Sequence, residues 1–390
     1  MMLGKARRFE EQLVRWRRDL HMHPELSYQE TRTAAIVADE MKAMGYRVRT
    51  QVGRTGVVAE LGEGKPVIAI RADMDALPIQ EANTETYTSQ VPGVMHACGH
   101  DAHVACALGA ARLLRQENFP GTVRFIFQPA EENEDDEGLT GAPRMIQDGA
   151  MEGVSAIIAL HVDVSIPAGD IGLVAGPAMA GIDTLNATIL GQGGHGARPE
   201  ETVDPIYIAT HVALALYGIV ARRIRANHPA VLSIGSIHGG QTSNVIPDEV
   251  EISATIRYMD RGTQQLLHHE IERVLDIARS MGGDYRYKIV TVGPPTFNHT
   301  GMINLIGKVT ENLLGPGHAL QIEPLMGSED FCFFSELVPG AMFQLGCKIQ
   351  DDERQLHNPR FDLDERCLPI GTAILAETAL RLFREGTPVV

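Results

Sequence analysis

The sequence predicts an α/β protein in which a mixed, mainly parallel sheet flanked by helices is interrupted by an inserted α+β domain. Three observations carry this. Over the first 175 residues short apolar runs alternate with helical periodicity, the rhythm of a sheet buried on both faces. From about Asp183 the order becomes β-α-β-β-α-β, the ferredoxin-like arrangement of an antiparallel sheet covered on one face by two helices. After Pro294 the helix–strand alternation resumes, and 390 residues are too many for one ordinary core. The expected division is a first part over 1–180, an insert over 181–293 and a second part over 294–390.

The elements follow in order. Helices are expected over Arg7–Met22 and Tyr28–Met44, the second ending at Gly45; strands over Gly56–Leu61 and Pro66–Ala72; a helix over Ala102–Leu114; and strands over Thr122–Phe127 and Ala156–His161. The insert reads as strand Thr184–Leu190, a glycine-rich turn Gly191–Gly196, helix Asp204–Ile224, strands Val231–Ile237 and Val250–Tyr258, helix Gly262–Met281 and strand Tyr285–Val292. The last part carries helices near Met302–Leu314 and Leu368–Phe383 and a strand at Ala341–Leu345. There is no internal repeat, and Gly191–Gly196 lacks the GxGxxG spacing and context of a nucleotide-binding turn.

Composition narrows the partners. Hydrophobic residues at 44% and charged residues at 22% describe a globular chain, and 34 basic against 50 acidic side chains leave a formal charge of −16. Such a surface repels phosphate backbones and anionic membranes, so neither nucleic acid nor a membrane is an expected partner. No membrane span is expected: the longest apolar stretch, Pro205–Val220, falls short of the ~20 residues a bilayer requires and contains His211. The N-terminus lacks a signal-peptide apolar block, and five cysteines without a CxxC pair suit a reduced, cytoplasmic chain.

Chemistry-bearing residues collect at or just beyond predicted strand ends, where the loops of an open α/β sheet converge. Arg71–Pro78 sets Asp73 and Asp75 two residues apart. His96–His103 places Cys98 among three imidazoles, with Gly99 allowing a sharp bend before His100. Glu131 and Glu132 follow the strand ending at Phe127, His161 ends the next strand, and His357 lies near the C-terminus. Thiolate, imidazole and carboxylate together are ligands for Zn²⁺ and its first-row neighbours, whereas Mg²⁺ and Ca²⁺ take oxygen. Side chains of adjacent glutamates diverge, so one can hold a metal while the other acts as a general base. Taken singly these residues have bland readings: Cys98 as a small buried hydrophobe, His161 as a hydrogen-bonded strand-end histidine, Glu131–Glu137 as a solvated acidic run. Glu134, Asp135, Asp136 and Glu137 keep that reading, and His211 and His268 are read as structural or exposed. The others gain weight together, because Cys98, His100, Glu132 and His161 fall at ends of successive elements of one sheet.

In these motifs the chain resembles the M20 family of metallopeptidases and amidohydrolases, in particular the branch of N-acyl-amino-acid amidohydrolases, hippurate hydrolases and auxin-conjugate hydrolases. The likeness covers almost the whole chain: His21–Leu26, Arg71–Pro78, Met95–His103, Phe127–Glu132, Gly193–Pro199, Thr242–Pro247, Gly327–Phe331 and Leu356–Phe361. It implies a split catalytic domain and an inserted lid and dimerisation domain. It implies two divalent ions, with Cys98 bridging, His100 and His161 on one, and Glu132 and His357 on the other. A thiolate favours Zn²⁺, with Mn²⁺, Co²⁺ and Ni²⁺ open. Glu131 matches the family's general acid/base, and Asp75 an acid that orients the metal site; Asp73 stands where relatives outside this branch have a ligand histidine. In the insert, His195 matches a residue that reaches into the partner subunit's site, and Asn244 and Arg257 match groups that bind substrate carbonyl or carboxylate. Without the likeness, His195 would equally be an exposed loop histidine and Arg257 a surface charge. The segment Asn133–Thr140 departs from the family by being longer and more acidic.

The activity so implied is metal-dependent hydrolysis of N-acyl-L-amino acids to a carboxylic acid and a free amino acid, by a homodimer or homotetramer. Glu131 would take a proton from a water activated by the two ions and return it to the leaving amine, while His195 steadies charge on the carbonyl oxygen. Alternatives are a dipeptidase or carboxypeptidase of the same family, and a catalytically silent binding protein that kept the fold.

Overall fold

The computed structural model describes residues 1–350, 352 and 354–387. The chain forms two compact units: the first comprises Met1–Gly176, Phe297–Glu323 and the chain from Asp330 onward, the second Pro177–Thr296 and Pro324–Glu329. The second unit is wider than the 181–293 read from the sequence and takes in a short return segment that carried no signal of its own.

The first unit is built on an eight-stranded sheet. Its strands are β1 (Arg47–Val52), β2 (Gly56–Glu63), β3 (Val67–Asp73), β4 (Gly121–Gln128), β5 (Val154–Pro167), β6 (Ile171–Leu173), Ala319–Gln321 and Gly340–Lys348. They are ordered β1-β2-β4-β3-β5, then Gly340–Lys348, β6 and Ala319–Gln321. The four central strands run parallel, whereas β1, β2 and β6 join antiparallel. Every residue of β3 is buried, as a central strand covered on both faces requires. The helices on this sheet include α1 (Met2–Arg7), α2 (Glu10–Met22), α3 (Thr31–Ala43), α4 (His100–Leu114), α5 (Gly141–Gln147) and Leu368–Glu385. Fourteen of the fifteen residues of α4 are buried, so it is an internal helix whose polar residues need partners inside the protein.

Several elements differ from expectation. The helix expected over Arg7–Met22 is interrupted: Phe9 has non-helical dihedrals (φ −128°, ψ 28°), which separates α1 from α2. Strand β1 and helix α5 were not anticipated. Strand β1 is polar and mostly exposed apart from Val52, and α5 is a seven-residue helix with a proline in its first turn, so neither shows apolar periodicity.

The second unit has a four-stranded antiparallel sheet in the order Ala230–Gly239, Glu249–Tyr258, Gly181–Leu190, Asp284–Gly293. With α6 (Pro205–Arg223) and α7 (Arg261–Leu275) this is the ferredoxin-like connectivity. Asp204 caps α6 by accepting from the Ile206 and Tyr207 amides, and Pro205 occupies the first turn. One face of α6 enters the core through Ile208, Val212, Leu216 and Ile219, each contributing roughly 1.5–3 kcal/mol by burial. At 19 residues α6 outruns the apolar stretch read from the sequence and is, by length and composition alone, long and apolar enough to cross a membrane.

Candidate metal centre

The site grows from strand ends brought level by the sheet register. Asp73, the last residue of β3, lies opposite Gln128, the last of β4, and Arg71 lies opposite Ala159 of β5, which brings His161 to the same edge. Beyond β4 the chain turns through Ala130 (φ 48°) to present Glu131 and Glu132. Cys98 and His100 flank Gly99, the residue before α4, whose φ of 89° suits glycine. A Cβ on Gly99 would come within 2.3 Å of a Val162 methyl carbon, so a side chain here would push the ligand turn off the sheet. His357, also at positive φ (60°), is tied by its amide to the Ala97 carbonyl at 2.8 Å.

Two ligand groups meet at one sulfur. Cys98 Sγ is 3.5 Å from His161 Nε2 and 3.3 Å from His357 Nε2. His357 Nε2 is in turn 3.2 Å from Glu132 Oε1. The sets Cys98–His100–His161 and Cys98–Glu132–His357 each bring one donor atom per residue within 4.8 Å of one another, and a third such set, His100–Glu131–Glu132, places Glu131 beside them. Among the described residues, His100 Nε2 is buried with no hydrogen-bond partner, and the equally buried Glu132 Oε1 meets His357 Nε2 alone. Buried polar atoms of this kind are costly unless something fills the space between them. The charge balance points the same way. Hydrogen bonds to Cys98 and Glu132 push the His357 imidazole up to about 10. Burial works against a charge on His100, yet Asp73 and Cys98 hold it well above its ordinary value. Burial pushes the Cys98 thiol up. Converging donors that call for positive charge fit divalent cations, and Cys98 belongs to two of the donor groups.

The surrounding groups fix the donors' orientation. Asp75, fully buried, accepts from the Glu131 and Glu132 amides at 3.1 and 3.0 Å and from Ser27 Oγ at 2.6 Å. His100 Nδ1 lies 2.9 Å from the Asp75 carbonyl, which leaves Nε2 as its ligand atom. His161 Nδ1 lies 2.8 Å from the Val162 carbonyl, turning Nε2 toward Cys98. His103, the third imidazole of the motif, is fully used by the protein: Nδ1 bonds Asp73 at 2.6 Å and Nε2 accepts from the Val162 amide at 3.0 Å. Burial opposes the Asp73 charge, but Arg71, His100 and His103 hold that carboxyl well below its usual range.

The acidic segment is less solvated than its composition suggests. Asp135 is an anchor, bonded by Arg54 at 2.7 Å and Arg144 at 2.6 Å, and Tyr28 donates to the Leu139 carbonyl. Its neighbours Glu134, Asp136 and Glu137 are exposed. Sequence reasoning also missed Asp330, which accepts from Arg71, Gln128, Thr140 and the Ala142 amide. The motif Gly327–Phe331 was the available signal, but nothing local tells which carboxylate in it is buried.

The remaining candidates lie in the second unit. His195 pairs with Val245 in a two-stranded ladder and is exposed, its Nδ1 accepting from the Ala197 amide. Asn244 is exposed and accepts from Thr242 Oγ1. Arg257 is half-buried and donates to Ser328 Oγ at 2.9 Å. His268 is structural, 2.5 Å from the fully buried Asp183, while His211 is exposed.

The sequence pattern of peptidase family M20/M25/M40 matches residues 69–381, most of the chain and all the ligand motifs. The chain belongs to this family. It is therefore a hydrolase of the M20 amidohydrolase and peptidase group. It is 43% identical to "Probable hydrolase sll0100" of Synechocystis sp., over 95% of this chain and 96% of that one. It is 37% identical to "IAA-amino acid hydrolase ILR1-like 2" of Arabidopsis thaliana (96% and 85% covered), and 38% to "Thermostable carboxypeptidase 1" of Saccharolobus solfataricus (96% of each). Among solved structures it is similar to the Bacillus subtilis YXEP protein, described as a dinuclear metal binding peptidase from the M20 family. There the TM-score is 0.85 and the identity 35%, with 97% of this chain and 99% of that one covered.

Proposed function

We propose that this M20 hydrolase cleaves the amide bond of N-acyl-L-amino acids, releasing a carboxylic acid and a free amino acid. The observation that carries the reading is the shared sulfur: Cys98 stands between His161 and His357, with Glu131 beside the cluster. In this reading Cys98, His100 and His161 hold one divalent ion, and Cys98, Glu132 and His357 the other, with Zn²⁺ the best match to a thiolate. Two such ions would supply Lewis acidity toward water and the scissile carbonyl. Glu131 would accept a proton from the attacking water and return it to the leaving nitrogen. Asp75 holds the backbone of both glutamates, so the base and its neighbouring ligand keep a fixed separation. His195 is assigned to the charge developing on the carbonyl oxygen, from one copy to the other of a homodimer. Asn244 and Arg257 are assigned to the substrate's polar groups; Arg257 suits a free carboxylate, and its chemistry explains a cation in a chain of net charge −16. The five cysteines are all free, which supports a cytoplasmic setting.

The acyl-amino-acid reading draws on the similarity to the Arabidopsis hydrolase, whose name specifies an amino-acid conjugate. A second reading, peptidase action on dipeptides or C-terminal residues, has its own support in the carboxypeptidase relative. Metal-reconstituted protein assayed against N-acetyl- and N-benzoyl-amino acids beside unblocked dipeptides separates them. The expected result is turnover confined to the acylated series. Preference for unblocked dipeptides would transfer the assignment to the peptidase reading, and no turnover with full metal loading would leave a binding protein.

A further inference from the structure

The segment that carries His357 is irregular in structure from 349 to 364, apart from the undescribed residues within it, so no helix or strand holds this ligand in place. Cys98 and His100, by contrast, sit at the start of a buried helix and behind a sterically required glycine. Something else has to hold the two sides of the cluster at a constant distance.

A second buried polar cluster lies behind the metal centre and takes no part in the chemistry above. At its centre is Arg17 of α2, an arginine with no exposed surface. Its Nε donates to Asp101 Oδ2 at 2.9 Å, its Nη2 to Asp362 Oδ1 at 2.8 Å and its Nη1 to Glu365 Oε1 at 3.3 Å. Asp101 follows the ligand His100 in α4; Asp362 lies five residues beyond His357. Tyr87 completes this contact by donating to the other Asp362 oxygen at 2.8 Å, with the Arg17 guanidinium 5.0 Å over its ring. One turn along α2, His21 makes a second connection. Its Nδ1 lies 2.8 Å from Asp101, and its Nε2 lies 3.3 Å from Glu81. Glu81 in turn accepts from Asn83 Nδ2 at 3.0 Å, and the same amide donates to the Phe361 carbonyl at 2.8 Å. From one rigid helix, then, two lines of hydrogen bonds reach both the turn bearing Cys98 and His100 and the loop bearing His357.

Resting on the binuclear reading, we propose that Arg17 and His21 are positioning residues that hold His357 at bonding distance from the Cys98 side, so that the Cys98–Glu132–His357 cation position depends on this brace. The Cys98–His100–His161 position does not depend on it. The asymmetry follows from what else supports each side. The α4 side keeps Gly99, the His100–Asp75 contact and the Ala102 amide on Asp101 when Arg17 is lost. The His357 loop has no helix or strand of its own and is held by bonds to Ala97, Ala82, Asn83 and Cys347, by Tyr87 on Asp362, and by the burial of Phe361 and Leu363. Removing the guanidinium takes the ion-pair partner from buried Asp362 on the loop, whereas Asp101 on the helix keeps His21 at 2.8 Å.

The test is titration of the full-length apoprotein with Co²⁺, followed by its visible absorption and by bound metal per chain, for wild type, Arg17→Met, Asp362→Asn and Tyr87→Phe. Wild type should take up two ions per chain; failure at that step would remove the binuclear reading itself, whatever the variants do. In Arg17→Met the weaker step should shift at least tenfold while the tighter step stays within twofold, with smaller shifts in the same direction for Asp362→Asn and Tyr87→Phe. The two milder variants keep the test decisive should Arg17→Met not fold. In a His357→Ala background, adding the same substitutions should leave the remaining ion's affinity unchanged. Equal weakening of both steps, no change in either among folded variants, or further loss in the His357→Ala background would overturn the brace.

Discussion

The candidate residues of the two units differ in how firmly the protein holds them. In the first unit Asp75, His100 and Cys98 are buried, and the donor atoms of the histidines are selected by bonds at the opposite ring nitrogen. In the second unit His195 and Asn244 are exposed, and Arg257 has one hydroxyl partner, Ser328. A metal centre requires donors preset to within fractions of an ångström, and dense hydrogen bonding supplies that. Groups that meet a substrate only during turnover gain from fewer commitments in the resting protein. The contrast is the one expected if, as proposed, the first unit holds the ions and the second meets the substrate.

Substitutions can break this contrast, and the largest effect is expected at Glu131. Glu131→Gln should reduce kcat by roughly 10²–10⁴ with bound metal unchanged; near-normal turnover would end its role as the base. His195→Ala should lower kcat by roughly 10²–10³, again at full metal occupancy; a fall in metal content would place it with the first group. Arg257→Met should raise KM roughly tenfold or more for substrates with a free carboxylate, as loss of a charged hydrogen bond does, and should leave the matching amides unaffected. An equal effect on both would show that Arg257 does not recognise the carboxylate.

Smaller effects sharpen the structural side. Asp183 is fully buried and accepts from Tyr258 at 2.9 Å and Gln264 at 3.1 Å beside His268, so Asp183→Asn should cost the second unit roughly 1–3 kcal/mol without changing metal uptake. Chemical denaturation alongside metal analysis checks both halves. In the first unit, burial and then Asp75 push the Glu30 carboxyl from its ordinary 4.5 up to about 7. Because the folded state holds this proton more tightly, the associated stability is complete below pH 4.5 and declines as pH rises toward 7. Glu30→Gln should flatten the denaturation midpoint between pH 5 and 8 relative to wild type; parallel profiles would contradict it.

The sequence disclosed the metal centre better than its supports. Cys98 and His100 stood out because a thiol and imidazoles crowd around Gly99 just before a helix, and Glu131, Glu132 and His161 because each ends or follows a strand, which apolar runs mark. The β-α-β-β-α-β order of the insert was legible for the same reason. The brace was not legible. Leu13, Trp16 and Leu20 set Arg17 on the apolar face of α2, but Arg17 and Asp362 are 345 residues apart and nothing local names its partners. Asp135 was hidden likewise: among consecutive acids only the fold selects the one that meets Arg54 and Arg144. Strand β1 and helix α5, polar or short, left no periodic trace.

The sharing of one thiolate by two cations is tested most directly by Zn²⁺ content per chain, measured by elemental analysis after dialysis, for wild type and Cys98→Ala. Two ions are expected for wild type and, because the bridge serves both positions, one or none for the variant. Two ions retained with Cys98 replaced, or a single ion in wild type saturated with Zn²⁺, would contradict it.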